Sequence, residues 1–228
     1  MRQPTIVLRM FVQTTAWLAA MGAVLFLAAG DLRWPPGWLF LGELALFSYV
    51  MGLGLARLDP ALLEARLSSP VQRDQKPWDR VFMSLIGLGF VVWLATMGVD
   101  GGRGPGPHPP PAAQALGAAL LAACMGLAWL TFRANSFAAP QVRMQAQQQV
   151  ASGGPYRVVR HPMYSAAILF FLGVPLLLGS WWGLAAAPVF VAALAVRTLG
   201  EERMLRSDLA GYDDYARRVR FRFVPGLW

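Results

Sequence analysis

His161–Val196 runs HPMYSAAILFFLGVPLLLGSWWGLAAAPVFVAALAV, 36 residues without an Asp, Glu, Lys or Arg. A membrane helix takes about 20 mostly apolar residues. The run is therefore too long for one crossing and short for two joined by an ordinary loop. Gly179-Ser180-Trp181-Trp182 stands at its middle. Glycine tolerates the backbone of a tight reversal, and tryptophan favours the membrane–water interface. The stretch predicts a helical hairpin, Met163–Leu178 followed by Trp182–Leu199.

Four more apolar runs precede it: Met10–Gly30, Gly37–Ala56, Val81–Val99 and Ala112–Phe132. Only the second carries a charge, Glu43. Of the 228 residues 56% are hydrophobic and 14% charged, whereas a soluble domain carries about 25% charged residues. This composition excludes a disordered chain. A lone cysteine, Cys124, excludes a disulfide scaffold. The expected fold is all-α: a polytopic integral membrane helical bundle of about six spans, the last two forming a tight hairpin.

The net charge is +8, but the basic residues lie in short clusters between the apolar runs and form no stripe of the kind that binds nucleic acid. With six spans, 18 of the 20 basic residues fall on one side. Only Arg33 and Arg103 fall on the other. Positive residues stay cytoplasmic, so both termini are expected in the cytoplasm. Five spans would place the Arg-rich tail outside. The first apolar run is too long for a cleaved signal. Gly101–Pro111, a Gly/Pro-rich outer loop, follows no strand and matches no nucleotide-binding fingerprint.

Chemistry is expected in the cytoplasmic pieces Asp59–Arg80, Arg133–Arg160 and Glu201–Trp228. The first holds LDPALLEARL (Leu58–Leu67), which suits an amphipathic helix lying on the membrane. The hairpin returns the chain to the face it left, so Arg160 and His161 at its entry should meet Arg197, Glu201 and Glu202 at its exit. Arg197 and Glu201 are four apart, on one helix face, where the pair suits an ionised group. Glu202 points about 100° away. Spacing alone equally fits a solvated helix end with a weak ion pair, and Arg160-His161-Pro162 equally fits a plain helix start. No metal site is expected: His108 and His161 fall on opposite sides, and Cys124 is mid-span. Glu43, some 9 Å inside the outer edge by helical rise, suits a functional, snorkelling or helix-pairing role.

The ordered set GPYRVVRHPMY (Gly154–Tyr164), an apolar hairpin, EERML (Glu201–Leu205) and GYDDYARRVRFRFVP (Gly211–Pro225) resembles the isoprenylcysteine carboxyl methyltransferase family. RDQKPWDR (Arg73–Arg80) is similar to a segment of its bacterial members. The strong resemblance covers about Val142–Pro225. It implies methyl transfer from S-adenosylmethionine in the membrane, of the bacterial inner membrane type, to the carboxylate of a prenylcysteine-like or other lipid-like acceptor. Carried over by position, the cofactor contacts are Gln145, Gln148, Gln149, Val150, Ala151, Tyr156, His161, Pro162, Met163 and Tyr164. Arg197 and Glu201 would orient the acceptor carboxylate, with Glu202 and Arg160 in support. The domain reading is one membrane unit: four N-terminal spans in 1–132 with the amphipathic loop 59–80, then a catalytic part, 133–228.

The chain departs from that pattern in three places. Gln148 stands where some members have a His, Gly211 directly precedes Tyr212, and the segment before Gln148 is shorter. Related enzymes methylate thiols or phospholipid amines. A membrane sterol-type reductase using NADPH, similar at its C-terminal end, is the alternative enzyme class. A transporter is the non-catalytic one, against which the spans lack paired charges and repeats.

Overall fold

A computed structural model describes residues 3–69, 76–104, 106–138 and 148–228. It is all-helical, as the sequence predicts. The order is α1 (Gln3–Ala29), α2 (Pro35–Leu58), α3 (Pro60–Leu67), α4 (Pro77–Arg103), α5 (Pro111–Ala134), a 3-10 turn (Gly154–Arg157), α6 (Pro162–Leu178), α7 (Trp181–Asp208) and α8 (Tyr212–Arg218). Proline opens α2 to α6. Its fixed φ suits the first turn, where its missing N–H costs nothing.

Among the described residues, α1, α2, α4, α5 and α7 are long and apolar enough to cross a membrane. Helix α6 has 17 residues and is about 26 Å long, somewhat less than a bilayer core of about 30 Å. Apolar side chains cover the outside as well as the core. Leu85, Leu88 and Val92 of α4, Leu27 of α1 and Val189 of α7 are exposed. A face of this kind is stable against lipid, not water.

The hairpin turns where expected. Gly179 adopts the left-handed region at φ 74°, which a side chain disfavours. Ser180 caps α7 by accepting from Gly183 N–H at 2.9 Å. Asp100, at the end of α4, accepts from the Ser180 hydroxyl at 2.7 Å and the Trp182 N–H at 3.1 Å. Helix α4 thus runs through Gly101–Arg103, which the sequence reading assigned to the outer loop.

Helix α7 also outruns its expected end at Leu199, continuing to Asp208. Its last turns are held because Met204 and Leu205 pack with Tyr212 and Tyr215 of α8 in a small core. Glu201 and Glu202 are therefore helical residues and not part of a loose tail.

Two glycine contacts set the frame. A Cβ on Gly173 of α6 would lie 2.9 Å from the Gly117 carbonyl oxygen of α5, and one on Gly117 would strike the Leu177 main chain. Small residues let membrane helices approach this closely. At the other end, a Cβ on Gly200 of α7 would sit 2.8 Å from the Trp78 ring. The bare glycine admits Trp78 and brings the first turn of α4 against α7.

Candidate active site

The segment from Gln148 to His161 enters beside the C-terminal end of α5. Gly154 (φ 51°) and Pro155 form the 3-10 turn. Asn135 donates to the Tyr156 hydroxyl at 2.8 Å, and the Tyr215 hydroxyl donates to the Tyr156 carbonyl at 2.8 Å. Burial pushes the Tyr156 phenol up to about 12, the Asn135 hydrogen bond partly opposing it. Burial likewise raises Tyr212 and Tyr215.

The chain after α8 runs alongside this segment. Val159 and Phe221 form a parallel bridge. Arg160 N–H donates to Phe221 O at 2.9 Å and His161 N–H to Arg222 O at 3.0 Å. The Arg160 side chain donates to the carbonyls of Val219 and Arg220, each at 2.8 Å. Its Nε donates to Glu202 at 2.7 Å. Glu202 also meets Arg222 at 3.0 Å and His161 Nε2 at 3.2 Å. Glu202 is a buried carboxylate that gathers three elements.

Glu201 turns elsewhere. The Tyr164 hydroxyl donates to it at 2.6 Å, and His161 Nδ1 stands 4.0 Å away. The rings of His161 and Tyr164 stack at 5.5 Å. Arg197, one turn before Glu201, donates through Nε to Asp79 Oδ1 at 2.8 Å and through Nη2 to Oδ2 at 3.3 Å. Its guanidinium lies 5.5 Å from the Phe82 ring centre and 5.9 Å from that of Tyr164. Asp79 is fully buried. Asp79, Arg197 and His161 are buried, unlike a solvated helix end, and Glu201 is partly exposed beside them.

A cavity of about 320 Å³ lies among them. Of the residues singled out in the sequence, Gln148, Gln149, Val150, Ala151, Tyr156, Arg160, His161, Met163, Tyr164, Arg197 and Glu201 line it. Pro162 and Glu202 do not: Pro162 opens α6, and Glu202 supports Arg160 from behind. Gln145 lies outside the described residues. Met83, Ala167 and Leu194 form an apolar wall toward the bundle. Sequence reasoning missed Asp79, Asn135, Arg66 and Tyr212. Asp79 lay within RDQKPWDR and Tyr212 within GYDDY, so the motif carried a signal for both.

Residues 112–210 match the family model PEMT, phospholipid methyltransferase. No curated protein matches the chain. The phospholipid methyltransferase match runs from α5 through α7, and so contains the hairpin, Tyr156, His161, Tyr164, Arg197 and Glu201. It supports a membrane methyltransferase. Asp79, Arg66 and Tyr212 lie outside the matched stretch.

Proposed function

We propose that the chain is an S-adenosylmethionine-dependent methyltransferase acting on a lipid-like acceptor at the cytoplasmic face of the membrane. The observation that carries this reading is one cavity with two characters. Its polar side is built from Gln148, Gln149, Tyr156, Arg160, His161, Tyr164, Arg197 and Glu201, and its apolar side from Met83, Ala167 and Leu194. A lipid-like acceptor needs both, an apolar wall for its chain and polar groups for its head.

The residues fit the cofactor. The cavity is large enough to enclose a small molecule, its ring pair His161–Tyr164 suits a flat base, and the buried Tyr212 hydroxyl lacks a partner among the described residues. S-adenosylmethionine, when bound, supplies a methyl group already activated on a positive sulfur. The protein's remaining task is positioning in line. Residues 148–151, Tyr156 and His161–Tyr164 would hold the nucleotide. Tyr164 fixes the Glu201 carboxylate, and Asp79 fixes the Arg197 fork.

Two acceptors follow from this chemistry. A prenylcysteine-like carboxylate would meet Arg197, and its oxygen would form the new bond without releasing a proton. A phospholipid amine is the second reading. It is favoured because Asp79 already takes two nitrogens of Arg197, while Glu201 faces the cavity with a carboxylate. Glu201 would orient the ammonium and receive the proton that the amine must lose before its lone pair can attack.

Purified protein, labelled S-adenosylmethionine and a lipid extract test both. The expected result is label in a lipid product. Release of volatile label by mild base marks a methyl ester, and base-stable label marks an N-methyl amine. Tight binding of NADPH with none of S-adenosylmethionine would overturn the proposal in favour of a reductase.

A further inference from the structure

Arg66 is a charged cavity residue that no acid among the described residues answers. It stands in the last turn of α3, in the half of the chain that the family match does not reach. Leu62 and Leu63 of that helix are buried, so α3 is anchored in the protein and does more than lie on a lipid surface. The Arg66 Nη1 donates to the Ala138 carbonyl at 2.9 Å, and its guanidinium lies 4.3 Å from the Phe132 ring centre. Asn135, Phe137 and Ala138 line the cavity beside it.

The other two cavity-lining arginines are matched. Arg160 has Glu202 and Arg197 has Asp79. A guanidinium presents five N–H donors, and those of Arg66 meet one carbonyl among the described residues. Arg66 is half-buried, and its desolvation lowers it to about 10. Tyr212 also lines the cavity, and its hydroxyl is buried without a partner among the described residues. Among the described residues, Arg66 thus keeps N–H donors beyond the one that meets Ala138, and the Tyr212 hydroxyl has no partner.

We propose that Arg66 is an oxyanion-binding residue of this cavity, gripping a carboxylate or phosphate of one reactant. The proposal deepens the methyltransferase reading and rests on it. The anion comes either from the amino-acid end of the cofactor or from the headgroup of the acceptor. A planar fork stacked on Phe132 is preset for such a group.

Binding to the purified full chain tests it with Arg66→Gln and Arg66→Lys. The probes are S-adenosylhomocysteine, 5′-methylthioadenosine (which lacks the carboxylate), a short-chain phosphatidylethanolamine and the matching phosphate-free diacylglycerol. If the cofactor supplies the anion, Arg66→Gln weakens S-adenosylhomocysteine by about tenfold or more and leaves 5′-methylthioadenosine unchanged. If the acceptor supplies it, only phosphatidylethanolamine weakens. Should Arg66→Gln fail to fold, Arg66→Lys keeps the charge without the fork and should show a smaller loss on the same probe. Unchanged affinity for both anionic probes overturns the proposal. So does an equal loss on charged and uncharged probes, which marks a merely structural residue. Wild-type protein that binds neither adenosyl probe sinks the methyltransferase reading instead, and the two lipid probes then decide Arg66 alone.

Discussion

Asp79 and Arg197 lie 118 residues apart and meet as a buried pair, Nε to Oδ1 at 2.8 Å. The pair joins the first turn of α4 to the second half of α7. It holds the guanidinium under the Tyr164 ring, next to the carboxylate that Tyr164 binds. Breaking a buried pair leaves a charge without water or partner. Asp79→Ala should therefore cost about 3–5 kcal/mol and lower the melting temperature in detergent. Asp79→Leu combined with Arg197→Met should recover most of that stability without recovering turnover. A single variant that melts like wild type would show that the pair is not buried in solution.

Glu201 and Glu202 are neighbours with separate tasks. Glu202→Gln leaves Arg160 and Arg222 without their shared carboxylate, so the segment 219–222 should loosen. Limited proteolysis would detect this as faster cleavage. Glu201→Gln should keep the fold and the cofactor and lose turnover by about a hundredfold, the usual scale for a removed proton acceptor. Equal proteolysis of the two variants would contradict the division.

Tyr164→Phe removes the 2.6 Å bond to Glu201 and keeps the ring stacked on His161. Cofactor affinity should hold, while turnover falls by about tenfold, the value of a charge-assisted hydrogen bond. His161→Ala should do the reverse and weaken S-adenosylhomocysteine first. Calorimetry of both variants checks the contrast, and it fails if both lose cofactor alike.

Burial pushes Tyr156 up to about 12 and raises Tyr212 and Tyr215 as well. An exposed phenol titrates near about 10. The folded values are raised, so the stability these groups contribute is fully present below about pH 10 and is lost as pH rises through the folded values. Tyrosinate absorbance at about pH 11 should thus be unchanged by Tyr156→Phe in folded protein. A drop in absorbance there would mean that Tyr156 ionises early.

Both termini should face the cytoplasm. A Trp228→Cys variant on a Cys124→Ala background would be labelled only from that side. Cys124 is the one cysteine of the chain, so that background leaves the tail thiol alone to react. Labelling of the tail from outside alone would reverse the topology.

The apolar runs and the turn at Gly179 were legible because they depend on local rules: hydropathy, helical rise and the freedom of one glycine. The meeting of Arg160 and His161 with the exit of the hairpin was legible too, since a hairpin must return to its starting face. The partner of Arg197 was not. Helical spacing compares residues three or four apart, and by that rule Glu201 was the natural mate. Asp79 reaches Arg197 where α4 and α7 meet, beside the contact of Trp78 with the bare Gly200, and spacing carries no record of that packing. Arg66 was hidden for the same reason. An amphipathic helix on a membrane and one anchored against a cavity share one pattern, and the buried Leu62 and Leu63 distinguish them.

The glycine contact between α5 and α6 has an evolutionary reach. It sets how closely α5 and α6 pair, and the ends of these helices, Ala134 and Pro162, bracket residues 135–161. With the paired helices held, a longer connection between their ends should cost little, since closure entropy rises by about 0.6 kcal/mol for each doubling of length. Insertions and deletions there leave the paired helices undisturbed. One frame can thus carry different connecting segments while the hairpin stays the same.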